Sequence, residues 1–153
     1  MKRSEVRFRQ QEIERILRDA DIDPGIPTSQ IEVADFGLEH FEAEGLGIVL
    51  RVNEPEYCSK WLTLLPGQWC PWHHHKVKKE TFLVFKGDVE LLCGSQTITL
   101  RPGDHYTIPV GTDHTFGSKL GAIVEEVSTH DENSDSYFRN PAVVRDPVVD
   151  EDE

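Results

Sequence analysis

Hydrophobic and polar residues follow two different periods along this chain, and the change of period divides it. Near the N-terminus, apolar residues recur at the i, i+3, i+4 and i+7 spacing of one helix face, which predicts a helix over residues 4–20. The residues of this apolar stripe are Ile13, Ile16, Leu17 and Ala20. Pro24 and Gly25 end the pattern, so we expect one amphipathic helix that packs on the body of the protein.

From residue 31 to about residue 130 the period shortens to two. In the stretch GLGIVLRVN, the side chains of Leu46, Ile48 and Leu50 fall on one face of an extended chain. At least five further apolar stretches follow, separated by Gly, Pro, Asp and Ser turn signals and with no helix between them. This pattern predicts an all-β sandwich or barrel.

The two periods suggest a simple organisation of the chain. We divide it into an N-terminal helical arm at residues 1–30, a β-barrel at residues 31–140 and an acidic C-terminal tail at residues 141–153. The length of 153 residues fits a single domain of this kind with one core. We expect the last residues of the tail to be loose, because they are polar and terminal.

Charge and composition narrow the classes of partner. The net charge of −12 argues against binding to a nucleic-acid backbone, and no apolar run approaches the roughly 20 residues that span a membrane. We therefore expect neither nucleic acid nor membrane as a partner. The N-terminus lacks the apolar segment of a secretory signal. The three cysteines, an odd number without a close pair, indicate reduced thiols in a cytoplasmic protein.

The stretch PWHHHKVKKETF contains the clearest candidate chemistry. His73 and His75 share one face of a strand, His74 takes the other face, and Glu80 follows on the next strand. His114, after the turn in PVGTDHTF, offers a fourth ligand. Three imidazoles and a carboxylate suit a divalent metal such as Mn, Fe, Co, Ni or Zn. A solvated basic loop is the alternative interpretation of this stretch.

The spacing of these residues resembles the two motifs of the cupin superfamily. The first motif is Gly67-x5-His73-x-His75-x4-Glu80-x6-Gly87, and the second is Gly103-x5-Pro109-x-Gly111-x2-His114. Ser118 stands where the second motif usually ends in asparagine. The resemblance implies a jelly-roll β-barrel that holds a divalent metal through the three histidines and the glutamate.

The wider sequence resembles the D-lyxose isomerase family over roughly residues 35–138. The similar stretches are YCSKWLTLLPGQWCPWHHH, KKETFLV, HYTIPVGTDHTF and EEVSTHDENSDSYF. The resemblance implies an aldose–ketose isomerase that interconverts D-lyxose with D-xylulose and D-mannose with D-fructose, usually with manganese. It also implies a homodimer. This chain is short for the family and lacks the longer insertions of some members.

Such an isomerisation needs a base near C1 and C2 and cations near the sugar oxygens. Lys60 shares a strand face with Leu62. Spacing alone favours a lysine that faces water, whereas the resemblance places it in the site. Lys78 lies two residues before Glu80, so on an extended chain its side chain would point toward the metal on the same face. The alternative is that Lys78 lies in a solvated turn. The two-residue period does not show whether Glu125 or Glu126 faces the interior of the barrel. The resemblance implies that Glu126, which matches the family pattern EVS, is the general base.

Three further residues complete the candidates. We expect Asp135 and Gln68 to bind the sugar, although Asp135 could equally be a loop acid. Cys70, three residues before His73, should face away from the ligand imidazoles and serve only in packing. Two other functions stay open at this point, a cupin dioxygenase and a sugar-binding module without turnover.

Overall fold

A computed structural model describes residues 1–152 of the protein. The α-helix α1 spans Arg3–Asp19, and short 3-10 turns lie at Thr28–Gln30 and Asn133–Asp135. The strands are β1 (Glu32–Ala34), β2 (Leu46–Asn53), β3 (Cys58–Leu64), β4 (Trp69–His74), β5 (Glu80–Lys86), β6 (Val89–Cys93), β7 (Gln96–Leu100), β8 (His105–Ile108), β9 (His114–Gly117), β10 (Ala122–Ser128) and β11 (Tyr137–Phe138). Within residues 1–152, no helix is long and apolar enough to cross a membrane.

The strands form two antiparallel sheets that face each other. One sheet has six strands in the order β1-β2-β3-β10-β5-β8, and the other has five in the order β11-β4-β9-β6-β7. Apolar side chains from both sheets form one shared core, including Leu62 and Val84 from the first sheet and Leu91 and Phe116 from the second. The predicted all-β jelly-roll barrel with an N-terminal helix is therefore confirmed.

The alternation of side chains along β3 and β10 decides which polar residues face the interior. Leu62 on β3 and Val124 on β10 are cross-strand partners, and both pack in the shared core. Two positions further along, Lys60 and Glu126 are also cross-strand partners. Because successive side chains point to opposite faces, Lys60 and Glu126 must enter the same interior as the two apolar residues.

Helix α1 covers part of the outer face of the six-stranded sheet. Ile13 and Leu17 from the predicted apolar stripe are completely buried there. They pack in a second apolar cluster with Val49, Trp61 and Ile123 from the sheet. The helix is thus part of the body of the protein, as its apolar stripe predicted, and both faces of the central strands are covered by apolar contacts.

The segment after residue 140 contacts the body of the protein. The N–H of Val144 donates to the carbonyl of Phe36, and the N–H of Arg3 donates to the carbonyl of Asp150 at 2.9 Å. The guanidinium of Arg3 also pairs with Glu151 at 2.9 Å. The acidic tail thus pairs with the basic start of α1, and the looseness of its last residues stays a prediction.

Two glycines of the first cupin motif allow a matched test of backbone requirements. Gly67 and Gly87 both have positive φ, 80° and 77°. A Cβ on Gly67 would meet no atom within 4 Å, whereas a Cβ on Gly87 would lie 2.1 Å from the carbonyl oxygen of Gly121. Gly87 is therefore required both for its φ and for a close approach of two backbones.

We expect Gly67→Ala to lower the free energy of unfolding by about 1–2 kcal/mol, the cost of a left-handed alanine. Gly87→Ala should lower it by at least about twice as much, because the backbone of the neighbouring turn must also move. Urea unfolding followed by circular dichroism measures both values. Equal losses for the two variants would contradict the close approach at Gly87.

Candidate metal centre and active site

Four buried side chains converge between the two sheets. His73 lies near the end of β4, and His75 directly follows that strand. His114 begins β9 in the same sheet, while Glu80 begins β5 in the opposite sheet. One potential ligand atom from each residue lies within 4.8 Å of the others, and all four residues are buried. The structure therefore brings together the four predicted metal ligands, although they are spread over about forty residues of sequence.

Backbone carbonyls fix the orientation of the three imidazoles. The Nδ1 atom of each ligand histidine lies 2.8–2.9 Å from a carbonyl oxygen. The pairs are His73 with Pro71, His75 with Asp135, and His114 with Thr112. A carbonyl oxygen can only accept, so we infer that Nδ1 carries the hydrogen and Nε2 keeps a free lone pair. This is the usual arrangement of histidines that bind a metal.

The contact between His114 and Glu80 indicates what the cluster is built to hold. Nε2 of His114 lies 3.0 Å from Oε1 of Glu80, and both atoms are buried without a hydrogen-bond partner among the described residues. With Nδ1 protonated, two acceptor atoms face each other at this distance. A cation shared between them would satisfy both. The three imidazole nitrogens and one carboxylate therefore fit a divalent metal of the Mn, Fe, Co, Ni or Zn type.

His74 lies outside this cluster, as the two-residue period of β4 predicted. Its ring stacks on Tyr137, with 5.3 Å between ring centroids and 19° between the planes. The Nζ atom of Lys76 lies over the same tyrosine ring, 4.2 Å from its centroid. The histidine run thus divides into two candidate ligands that face inward and one histidine that packs at the surface.

A charged network continues from the metal cluster into the interior. The ammonium of Lys78 lies 3.2 Å from Glu80, 3.3 Å from Glu126 and 2.8 Å from Asp131. The ammonium of Lys60 lies 2.8 Å from the other carboxylate oxygen of Asp131. The structure therefore places the three candidate catalytic residues, Lys60, Lys78 and Glu126, in one network beside the metal ligands.

The two glutamates of this network have opposite electrostatic environments. Burial disfavours the anion of Glu80, but the ammonium of Lys78 outweighs it and holds the pKa of Glu80 well below its usual range. Burial, and then the charge of Glu80, raise the pKa of Glu126. Burial also opposes the charged form of Lys78, yet Glu126 and the other carboxylates raise its pKa. Glu80 is thus suited to bind a cation, and Glu126 to exchange a proton.

A cavity lies beside this network, and two of its charged lining residues were not predicted from the sequence. Asp131 follows the end of β10, where strand parity no longer predicts direction. Arg145 reaches the cavity from the C-terminal segment and pairs with Glu32 on β1. Neither position carried a local signal, because both depend on contacts with residues far away in the sequence.

The structure places Gln68 in a different role from the predicted sugar contact. Its side chain is completely buried and lies outside the cavity. The amide oxygen accepts from the N–H of Leu65 at 2.9 Å, and the amide nitrogen donates to the carbonyl of Phe41 at 2.5 Å. Both ends of the amide are therefore used to hold the turn before β4, and the prediction is corrected accordingly.

Asp135 also acts on the protein backbone in this structure. Its carboxylate accepts from the N–H groups of Lys76, Val77 and Lys78 at 2.9, 3.2 and 2.9 Å. Its own carbonyl accepts from Nδ1 of His75. The predicted contact with a sugar hydroxyl stays a prediction. In this structure Asp135 shapes the loop between β4 and β5 that presents His75 and Lys78.

Cys70 lies on the face opposite to the predicted one. The register of β4 against β9 shifts between Cys70 and His73, which marks a β-bulge. The bulge turns both residues inward, and Sγ of Cys70 lies 4.0 Å from Nδ1 of His73. Burial raises the pKa of the thiol, so Cys70 is an inert part of the apolar wall, in keeping with its predicted packing role.

Comparison with known proteins agrees with this fold and this cluster. Residues 60–123 match the family model described as a cupin domain, so the fold and the site together define a cupin. A D-lyxose/D-mannose isomerase of Thermosediminibacter oceani is 34% identical, over 99% of this chain and 99% of that protein. A D-lyxose ketol-isomerase of Cohnella laeviribosi is 38% identical, over 81% of this chain and 84% of that protein. The chain belongs to the D-lyxose ketol-isomerase family.

Solved structures show the same fold at lower sequence identity. The L-ribose isomerase of Cellulomonas parahominis, in complex with L-ribose, superposes with a TM-score of 0.84 at 17% identity, over 99% of this chain and 98% of that chain. The L-ribose isomerase of Geodermatophilus obscurus superposes with a TM-score of 0.82 at 19% identity, over 93% and 94% of the two chains. The similarity extends beyond the core barrel to nearly the whole chain.

Proposed function

We propose that this protein is a metal-dependent aldose–ketose isomerase that interconverts D-lyxose with D-xylulose and D-mannose with D-fructose. The observation that carries the proposal is the position of Glu126 and Lys78 directly beside the cluster of three histidines and Glu80. The relatives named for D-lyxose and D-mannose isomerisation support the choice of sugars.

The chemistry of the reaction matches the groups in the cavity. A divalent metal held by His73, His75, Glu80 and His114 would act as a Lewis acid on neighbouring sugar oxygens. Isomerisation removes a proton from C2 of the aldose, forms an enediolate and returns a proton to C1. The protein must therefore supply a base near these carbons and cationic groups near the oxygens that gain charge.

Glu126 is the group that we assign to proton transfer. Burial, and then the charge of Glu80, raise its pKa, which makes its carboxylate a stronger base toward a proton on a sugar carbon. Lys78 keeps its proton, so its ammonium can stabilise the enediolate oxygen as negative charge develops. Lys60 supplies a second buried cation on the same side of the cavity, which we assign to binding a sugar hydroxyl.

The charge of the cavity favours a polyol over an apolar substrate. Besides His73 and His75, six charged side chains line the cavity: Lys60, Lys78, Glu80, Glu126, Asp131 and Arg145. A sugar offers hydroxyl groups to each of them. An apolar substrate of an oxygenase would offer these buried charges no hydrogen bonds beyond those that they already make with one another.

Metal removal tests this proposal. Purified protein loaded with Mn²⁺ should convert D-lyxose and D-mannose to their ketoses without consuming oxygen, and EDTA should abolish this activity. Added Mn²⁺ should restore it. Ketose formation is followed by chromatography, and an oxygen electrode provides the control. Oxygen uptake without ketose would instead support a cupin dioxygenase, and sugar binding without turnover would support a binding module.

The proposal extends to metal identity, assembly and location. Manganese is the metal usually used by the family that the sequence resembles. Three buried free cysteines support a location in the reducing cytoplasm.

We also propose a homodimer. It is supported by Leu83, Phe85 and Val127, which are exposed on the outer face of the six-stranded sheet beyond α1. Sedimentation equilibrium should then give twice the chain mass of 17.5 kDa, and a measured mass equal to that of one chain would refute the dimer.

A further inference from the structure

Asp131 joins the two buried lysines of the cavity. Its Oδ2 atom lies 2.8 Å from Nζ of Lys60, and its Oδ1 atom lies 2.8 Å from Nζ of Lys78. The side chain of Asp131 is 12% exposed, and those of the lysines are 8% and 4% exposed. One carboxylate thus forms two charge-assisted hydrogen bonds in a site largely closed to water.

The two lysines depend on Asp131 to different degrees. The ammonium of Lys78 has three hydrogens and faces three carboxylates, those of Asp131, Glu126 and Glu80. For Lys60, Asp131 is the one carboxylate within 4 Å among the described residues. Loss of Asp131 would leave Lys60 without its ion pair and would free Lys78 to shift toward the two glutamates.

The backbone of Asp131 is itself held in place. The side-chain amide of Asn53, the last residue of β2, brackets it with two hydrogen bonds. The N–H of Asp131 donates to Oδ1 of Asn53 at 3.1 Å, and Nδ2 of Asn53 donates to the carbonyl of Asp131 at 2.9 Å. A residue on the chain segment after β10 is therefore tied to the rigid sheet, which is the support that a precise site requires.

We propose that Asp131 is a positioning residue of the isomerisation, which holds the ammonium groups of Lys60 and Lys78 in the places where they meet the sugar oxygens. This proposal rests on the proposed function and adds a residue to it. Asp131 acts through the two lysines and does not exchange protons with the substrate. It also competes with Glu126 for Lys78, and so keeps that ammonium from closing onto the base.

Asparagine is the informative replacement, because it keeps the size of Asp131 and removes its charge. An amide oxygen can accept from one ammonium, but the amide NH2 group can only donate and would face the other. We expect Asp131→Asn to lower kcat by about 100-fold, the scale of a small misplacement of catalytic groups, while KM changes less than about threefold. Metal content per chain should stay the same.

Glu132→Gln is the matched control on the neighbouring position. The side chain of Glu132 is 65% exposed and pairs with His130 outside the cavity. Glu132→Gln removes the same charge from the same segment as Asp131→Asn. Because Glu132 is exposed and does not contact the two lysines, kcat should stay within about twofold of wild type. Asp131→Glu, which keeps the charge, should recover most of kcat, and it replaces the asparagine variant in the test if that variant does not fold.

A double-mutant cycle separates positioning from a general structural role. In a Lys60→Met background, the further loss of kcat from Asp131→Asn should be at least about threefold smaller than in wild type, because one of its two partners is already gone. An undiminished loss, or an Asp131→Asn variant with wild-type kcat, would overturn the proposal while wild-type turnover stands. Wild-type protein with bound metal and no turnover would instead refute the proposed function itself.

Discussion

We expect Glu126→Gln to abolish turnover, with a loss of kcat of roughly 10³- to 10⁴-fold, and to leave metal binding unchanged. The amide keeps the shape of the glutamate and its contact with Lys78, but it cannot accept a proton from a sugar carbon. Glu126 lies 3.3 Å from Lys78 and is not one of the four clustered ligands, so the metal cluster should stay intact. Steady-state kinetics and metal analysis by mass spectrometry measure the two effects.

The neighbouring residue on β10 provides the control. Glu125 points to the opposite face, where its carboxylate lies 3.5 Å from Arg51. Glu125→Gln is the same chemical change one position away and should keep kcat within about twofold of wild type, as expected for a surface ion pair. Substantial activity in Glu126→Gln would move the general base to another residue. Loss of activity in both variants would indicate a general effect on β10.

His73→Ala should lose both the bound metal and the isomerase activity. The substitution removes one of four ligands and leaves a gap beside Phe138, whose ring centroid lies 5.5 Å from that of His73. Removal of a partner outside the ligand shell typically costs 10- to 100-fold in metal affinity, so we expect loss of a ligand to cost at least about 100-fold. Metal retained per chain after dialysis against a weak chelator measures this loss.

His74→Ala is the matched control for this prediction. The two histidines are adjacent on β4, but His74 stacks on Tyr137 and lies outside the metal cluster. It should therefore keep a wild-type metal content and wild-type activity. Metal loss in His74→Ala, or full metal content in His73→Ala, would contradict the inward direction of His73 and His75.

The regular parts of the fold could be predicted from the hydrophobic pattern alone. The helical stripe and the two-residue period predicted α1 and the strands, and the same period separated His74 from His73 and His75. The two-residue period could not show whether Glu125 or Glu126 faces the cavity, and the reason is physical. Both faces of β10 are buried near its middle, since Val124 packs in the shared core while Ile123 packs under α1.

The errors in prediction fall where the chain departs from a regular strand. A bulge in β4 turns the side chain of Cys70 to the face opposite to the predicted one. Both the oxygen and the nitrogen of the Gln68 amide are hydrogen-bonded to backbone groups around the turn before β4. Asp131 and Arg145 lie in irregular segments, where no period predicts the direction of a side chain. Their places in the cavity depend on partners from distant strands, and such contacts leave no local pattern in a single sequence.

The central claim is that Glu126 and the neighbouring metal cluster interconvert an aldose and a ketose by proton transfer. The most direct test is NMR spectroscopy of the Mn²⁺-loaded protein with D-lyxose in D2O, after removal of the paramagnetic metal from each quenched sample. We predict the appearance of D-xylulose with deuterium at C1, at a rate that falls at least about 10³-fold in Glu126→Gln. Protein with one metal ion per chain that forms no ketose from D-lyxose or D-mannose would contradict this account.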